Sequence, residues 1–303
     1  MKIIVAGQGP FGEKVLETLL CKGEKVQGVF CPRGRPGEAI KTLAADSKIS
    51  VFQPKRMKDP EVRETYRALA PDLVVLAFVT DILPKDLLEI PGLGTICYHP
   101  SLLPKHRGAS SINWAIIQGE TKTGLTILWA DTGIDTGPIL LQREVEIEPE
   151  ETTGSLYFNK LFPLGVEAVA EAVELVKNGR APKIPQDENL ATYEPPCDDS
   201  VAGIDWSKPD RQIFNLIRGC DPQPGAHTTL RGEKVRLYQP AAFQAAEPGR
   251  SGQILSVQDK ALTVCLGEAI CVIKKVRGED KKKLDGQEFA EKVGLQKGMC
   301  FGS

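Results

Sequence analysis

The sequence predicts an α/β fold: a parallel sheet covered by helices, followed by a smaller β-barrel domain. Three observations carry this expectation. Short apolar runs alternate with helix-spaced segments along the N-terminal part. The composition then breaks at 184–209, "IPQDENLATYEPPCDDSVAGIDWSKP", rich in Pro, Asp and small residues. Beyond a short helix at 209–218, strand-like segments separated by turn residues follow, as in a small barrel.

In chain order, KIIVA (2–6) is an apolar run typical of a strand buried on both faces. GQGPFG then leads into EKVLETLLCKG, whose Val15, Leu16, Leu19 and Leu20 share a helical face that Gly23 ends. KVQGVF (25–30) is the next strand, KDPEVRETYRALA is a helix, and DLVVLAF (72–78) is a strand again. Short links between such elements imply parallel strands with helical crossovers. Further strands are expected at 94–98, 124–130 and 139–147, and one long helix from Thr153 to Lys177. AHTTLRG, KVRLYQPA, GQILSVQD, ALTVCLG and AICVIKKVR supply the barrel, and GEDKKKL (278–284) reads as a solvated loop. The predicted organisation is residues 1–185, a linker at 186–208, and 209–303.

A chain of 303 residues with 26% charged and 41% hydrophobic residues buries a real core. Its net charge of −2 weighs against a partner held by phosphate contacts. The opening MKIIVAGQGPFG is too short in apolar residues for a secretory leader, and no membrane-length apolar run follows. The eight cysteines are scattered without C-x-x-C or metal-like spacing, so free thiols in a reducing cytoplasm and no metal are expected.

GQGPFG at 7–12 fits G-x-G-x-x-G between a strand and a helix, where dinucleotides bind. A nicotinamide site also needs a carboxylate at the end of the second strand, and Phe30-Cys31-Pro32-Arg33 offers none. Arg33 or Arg35 would suit only a phosphorylated ribose. The glycines otherwise serve a tight turn and close helix–sheet approach.

His99 ends the apolar strand GTICYH, at a carboxyl end where open α/β sheets place their sites. Pro100 and Pro104 stiffen the loop after it, and Arg107-Gly108-Ala109-Ser110 turns into the helix SSINWAIIQG. WADTGIDTGPILLQ (129–142) brings Asp131 and Asp135 around a Gly-rich turn. A histidine and two carboxylates on neighbouring strand ends suit acid–base chemistry. Spacing alone equally allows a satisfied core histidine and a turn aspartate. His106, between Lys105 and Arg107, reads as exposed, and nothing around His227 suggests chemistry.

HPSLLPKHRGASSINWAI together with IDTG resembles the 10-formyltetrahydrofolate-using formyltransferases, over essentially the whole chain. YHPSLLPKHRGASSINW, WADTGIDTGPILLQ and IRGCDPQPGAHT look most like the N-terminal hydrolase domain of 10-formyltetrahydrofolate dehydrogenase. The resemblance implies a Rossmann-like folate-binding catalytic domain and an OB-like C-terminal barrel, with 10-formyltetrahydrofolate as formyl donor and no NAD(P). It implies catalytic roles for His99 and Asp135. His99 would donate to the developing oxyanion, while Asp135 would orient the histidine and take a proton from the nucleophile. Asp81, Ile82 and Leu83, with Asp135, would hold the folate.

One position departs from the transferase pattern. Where the transferases carry an asparagine two residues before the histidine, this chain has Cys97, a weak donor. Losing one oxyanion donor costs roughly 100- to 1,000-fold in rate. The segment after the second strand is also short, lacking the longer basic loop of the tRNA enzymes. Water or a carrier nucleophile is therefore the expected acceptor. The alternative is an amine, on methionyl-tRNA or an amino sugar. A carrier or downstream domain in a longer chain is a further possible partner.

Overall fold

The first strand shows how the sheet is built. Alternate residues of a strand point to opposite faces, so Ile3 and Val5 enter one apolar core while Ile4 and Ala6 enter another. The structure, a computed structural model, describes residues 1–79 and 81–302. In chain order the elements are β1 (Lys2–Gly7), α1 (Gly9–Cys21), β2 (Lys25–Phe30), α2 (Arg35–Asp46), β3 (Ser50–Phe52), α3 (Pro60–Leu69), β4 (Leu73–Ala77), α4 (Lys85–Leu88) and β5 (Thr95–His99). They continue with α5 (Ser111–Ile117), β6 (Lys122–Trp129), β7 (Ile139–Glu146), α6 (Thr153–Leu156) and α7 (Phe162–Lys177).

The strands of the first sheet run in the order β3-β2-β1-β4-β5-β6-β7. Pairing is parallel from β3 to β5, as the crossover pattern predicts. It then changes: β6 runs antiparallel to β5, with His99 opposite Thr126. No crossover helix is needed for that pairing, so the alternation of strands and helices could not announce it. One face is covered by α1 and α7 through Phe11, Leu16, Val169 and Val173, and the other by α3 through Val62 and Tyr66.

The GQGPFG loop is used for packing. A Cβ on Gly7 would lie 2.9 Å from the Ala77 carbonyl oxygen and 3.1 Å from Gly12 Cα. Neither contact leaves room for a side chain, so these glycines let β1, β4 and α1 approach closely. The single helix expected over 153–177 is interrupted by a π turn at Tyr157–Leu161. Pro163 lies just beyond it; lacking an N–H, it cannot extend the preceding hydrogen-bond ladder and instead starts α7.

The chain divides into two compact units. One comprises 1–109, 124–145 and 159–194 and contains the parallel sheet. The other comprises 110–123, 146–158 and 195–303. In that second unit follow α8 (Asp210–Gly219), β8 (Ala226–Leu230), β9 (Glu233–Ala245), β10 (Ile254–Gln258), β11 (Ala261–Cys265), β12 (Ala269–Arg277), β13 (Lys283–Asp285) and α9 (Gly286–Val293). Its antiparallel sheet has the order β10-β11-β12-β9-β8, with β13 beside β12. β13 falls at the end of the charge cluster read as a loop; Val276 pairs with Leu284 there. Phe214, Ile217, Leu237, Ile273 and Phe289 join in one core. The architecture is thus a Rossmann-like domain with a C-terminal antiparallel sheet domain, as predicted.

Candidate active site

His99 is the last residue of β5 and is 5% exposed. The chain beyond it is tied down at once. The buried Thr126 hydroxyl donates to the Ser101 carbonyl (2.7 Å) and accepts from Leu103 N–H (3.1 Å). The Ser101 hydroxyl donates to the Lys105 carbonyl (2.6 Å). Gln142 Nε2 donates to the Leu103 carbonyl at 2.8 Å. These bonds explain the polar positions of SLLPK and fix the loop that follows His99.

Asp135 lies in the turn between β6 and β7, and its Oδ2 is 3.4 Å from His99 Nδ1. Gly108 N–H donates to the same oxygen at 2.9 Å. On the other side of the ring, His99 Nε2 is 2.8 Å from the His106 carbonyl oxygen. Both partners only accept, and the shorter contact, 2.8 Å against 3.4 Å, assigns the single hydrogen of a neutral His99 to Nε2, leaving Nδ1 to take up a proton beside Asp135. Burial pushes the His99 pKa below 6.5, opposed by the Asp135 carboxylate and the bond to His106. The arrangement leaves Nδ1 placed to accept a proton beside a carboxylate that would stabilise the charge.

A segment after β7 and α7 closes the arrangement. Gln186 Nε2 donates to the Asp135 carbonyl (2.7 Å) and the Gly137 carbonyl (2.8 Å). Arg107 donates to Gln186 Oε1 at 2.8 Å and forks onto Glu188 with contacts of 2.9 and 2.8 Å. Asp135 is thereby held from both its backbone and its side chain.

The structure brings together His99 and Asp135 among the sequence-predicted site residues. Asp131 instead caps its own turn, accepting from Gly133 N–H at 2.9 Å and from the Thr136 hydroxyl at 2.8 Å. Asp81, Ile82 and Leu83 follow β4, whose Leu76 pairs with Cys97, so their loop emerges beside the end of β5. Asp81 Oδ2 accepts from Met57 N–H (3.1 Å), Leu83 is buried, and Ile82 is 56% exposed. Cys97 lies against apolar Leu103, Leu128 and Ile139, and burial first, then the nearby Asp135, pushes its thiol pKa up. A neutral, packed thiol is a poor nucleophile.

His106, expected to be exposed, is 2% exposed, because its loop folds back under His99. The sequence reading also missed Gln186, Glu188 and Thr192, whose only signal was their position in an irregular segment. Among the described residues, no group of three or more His, Cys, Asp and Glu side chains could hold a metal ion. No helix among them is long and apolar enough to cross a membrane.

A buried histidine–aspartate pair at a strand end of an α/β sheet suits acid–base chemistry, as in group transfer or hydrolysis. Comparison with known proteins narrows it. Residues 1–173 match the formyl transferase family and residues 198–294 its C-terminal domain. The chain belongs to the formyl transferase family, which is a family of enzymes. It is 37% identical to methionyl-tRNA formyltransferase of Syntrophus aciditrophicus, over 100% of this chain and 99% of that protein. It is 43% identical to cytosolic 10-formyltetrahydrofolate dehydrogenase of Xenopus tropicalis, over 85% of this chain but only 29% of that protein. Among solved structures, HypX from Aquifex aeolicus in complex with tetrahydrofolic acid has the same fold, with a TM-score of 0.71 at 20% identity. That likeness covers 95% of this chain and 46% of HypX.

Proposed function

We propose that this chain removes the N10 formyl group of 10-formyltetrahydrofolate, with His99 and Asp135 as the catalytic residues. The observation that carries the reading is the buried pair itself, with Nδ1 3.4 Å from Oδ2 and Nε2 fixed by the His106 carbonyl. A nucleophile attacks the formyl carbon, and its proton passes to the His99–Asp135 pair. The imidazolium so formed stabilises the tetrahedral oxyanion. Collapse breaks the bond from carbon to N10, N10 takes the proton, and tetrahydrofolate leaves with no change of oxidation state. The Asp81–Leu83 loop, with Asp135, would hold the folate, within a catalytic domain spanning residues 1–185. No NAD(P) takes part in this chemistry, and a reducing cytoplasm suits the chain.

Two acceptors have support. The comparisons favour an amine, as on methionyl-tRNA, because the methionyl-tRNA formyltransferases match along nearly their whole length while the dehydrogenases match over 28 to 35% of theirs. Cys97 favours water or a carrier nucleophile, since a packed thiol supplies no strong donor beside His99. Product analysis separates them. Formate released from 10-formyltetrahydrofolate without any amine supports water; formylated methionyl-tRNA or amino sugar, with no formate in its absence, supports the amine. No tetrahydrofolate formed with water, methionyl-tRNA, amino sugar and a thiol carrier all present sinks the proposed function.

A further inference from the structure

The loop behind His99 contains a second buried pair that the proposed chemistry leaves unused. His106 Nδ1 lies 3.3 Å from Glu194 Oε2, and both side chains are largely withdrawn from solvent. The His106 backbone is left-handed, with φ 55°, a conformation that residues with a Cβ adopt uncommonly. That turn is what aims the His106 carbonyl at His99 Nε2. It is held along one short stretch: His106 N–H donates to the Thr192 hydroxyl (2.8 Å), Arg107 N–H donates to the Thr192 carbonyl (3.1 Å), and Glu194 takes the side chain.

We propose that His106 and Glu194 are positioning residues for His99. Their buried pair locks the left-handed turn, the turn presents the carbonyl, and the carbonyl decides which ring nitrogen of His99 carries the proton. If the turn relaxes, His99 is free to place its hydrogen on Nδ1, which removes the lone pair that faces Asp135. A pair with a purely structural role would affect only the folded fraction.

The inference rests on the reading of His99 as catalytic, so its test has one arm that needs no turnover. The chain has three histidines, few enough for each ring to be assigned by 15N NMR. Wild-type His99 is expected as the Nε2–H tautomer, and Glu194→Ala is expected to show a mixture. In turnover, Glu194→Ala should lose about 10- to 100-fold in kcat with KM within about twofold, the loss seen when a partner orienting a functional histidine is removed. Glu194→Gln keeps an oxygen acceptor and should recover most of that loss. Thr192→Val, nearly isosteric, removes another support of the same turn and should reproduce the kcat loss if Glu194→Ala does not fold. The proposal is overturned if wild-type His99 is the Nδ1–H tautomer. It is equally overturned if folded Glu194→Ala or Thr192→Val retains the wild-type tautomer and kcat per folded molecule. A wild-type chain without turnover would sink the proposed function and leave the tautomer result to decide this one.

Discussion

Replacing Asp135 by Asn is the sharpest perturbation of the site, because it changes charge and almost no volume. The Asn carbonyl can still accept from Gly108 N–H, so the turn should persist, but the same position then offers His99 Nδ1 a neutral oxygen in place of a carboxylate. At 3.4 Å and an effective dielectric near 20, the lost attraction for an imidazolium is about 5 kcal/mol. General acid–base groups contribute about 10²- to 10⁴-fold, the same order. The expected result is a drop in kcat of about 10²- to 10⁴-fold with an unchanged thermal melt. Steady-state tetrahydrofolate formation followed by absorbance measures it, with circular dichroism to confirm folding. A kcat within about threefold of wild type would contradict the assignment, since no proton-transfer role is that dispensable.

Other expectations follow from the same geometry. Because burial holds His99 below 6.5, the folded chain binds fewer protons than the unfolded chain as pH falls through 6.5. The stability that neutral His99 provides is therefore full above that pH and lost below it, as urea titrations across pH 5–7.5 will show. The acid limb of kcat/KM should have its midpoint below 6.5 and move lower still in Asp135→Asn, which lacks the opposing carboxylate; a limb that moves upward contradicts the coupling. Cys97→Asn should raise amine formylation by up to about 100- to 1,000-fold if an oxyanion donor is what the site lacks, and unchanged amine transfer removes that explanation. Gly165→Ala would place a Cβ 2.6 Å from the Tyr98 ring and 3.0 Å from Phe11. It should cost about 1–3 kcal/mol in urea denaturation, and kcat should fall too because Tyr98 precedes His99.

Much of this was legible in the residues. The mainly apolar runs 2–6, 25–30 and 72–78 became β1, β2 and β4 because central strands bury side chains on both faces, and the polar Lys25 and Gln27 of β2 are its least buried residues. His99 and Asp135 were legible as candidates from SLLPKHRG and IDTG, and the structure brings their side chains within 3.4 Å of each other. β3 was not legible: Ser50-Val51-Phe52 is too short and too exposed to carry a pattern. The reversal at β6 left no mark either, since an apolar strand reads the same in both directions. His106 was misread because its neighbours Lys105 and Arg107 are charged. Only tertiary structure shows that Arg107 is spent on Gln186 and Glu188 while His106 turns inward. The residues that hold the site from 186 to 194 belong to a stretch without periodicity, where sequence patterns carry no information about contacts.

The most direct test of the account is turnover of 10-formyltetrahydrofolate by the wild-type chain and by His99→Ala, each with and without methionyl-tRNA and amino-sugar acceptors. The account predicts formyl removal by the wild-type chain under at least one condition and loss of nearly all of it in His99→Ala with the fold intact. Formyl removal at the wild-type rate in His99→Ala would contradict it.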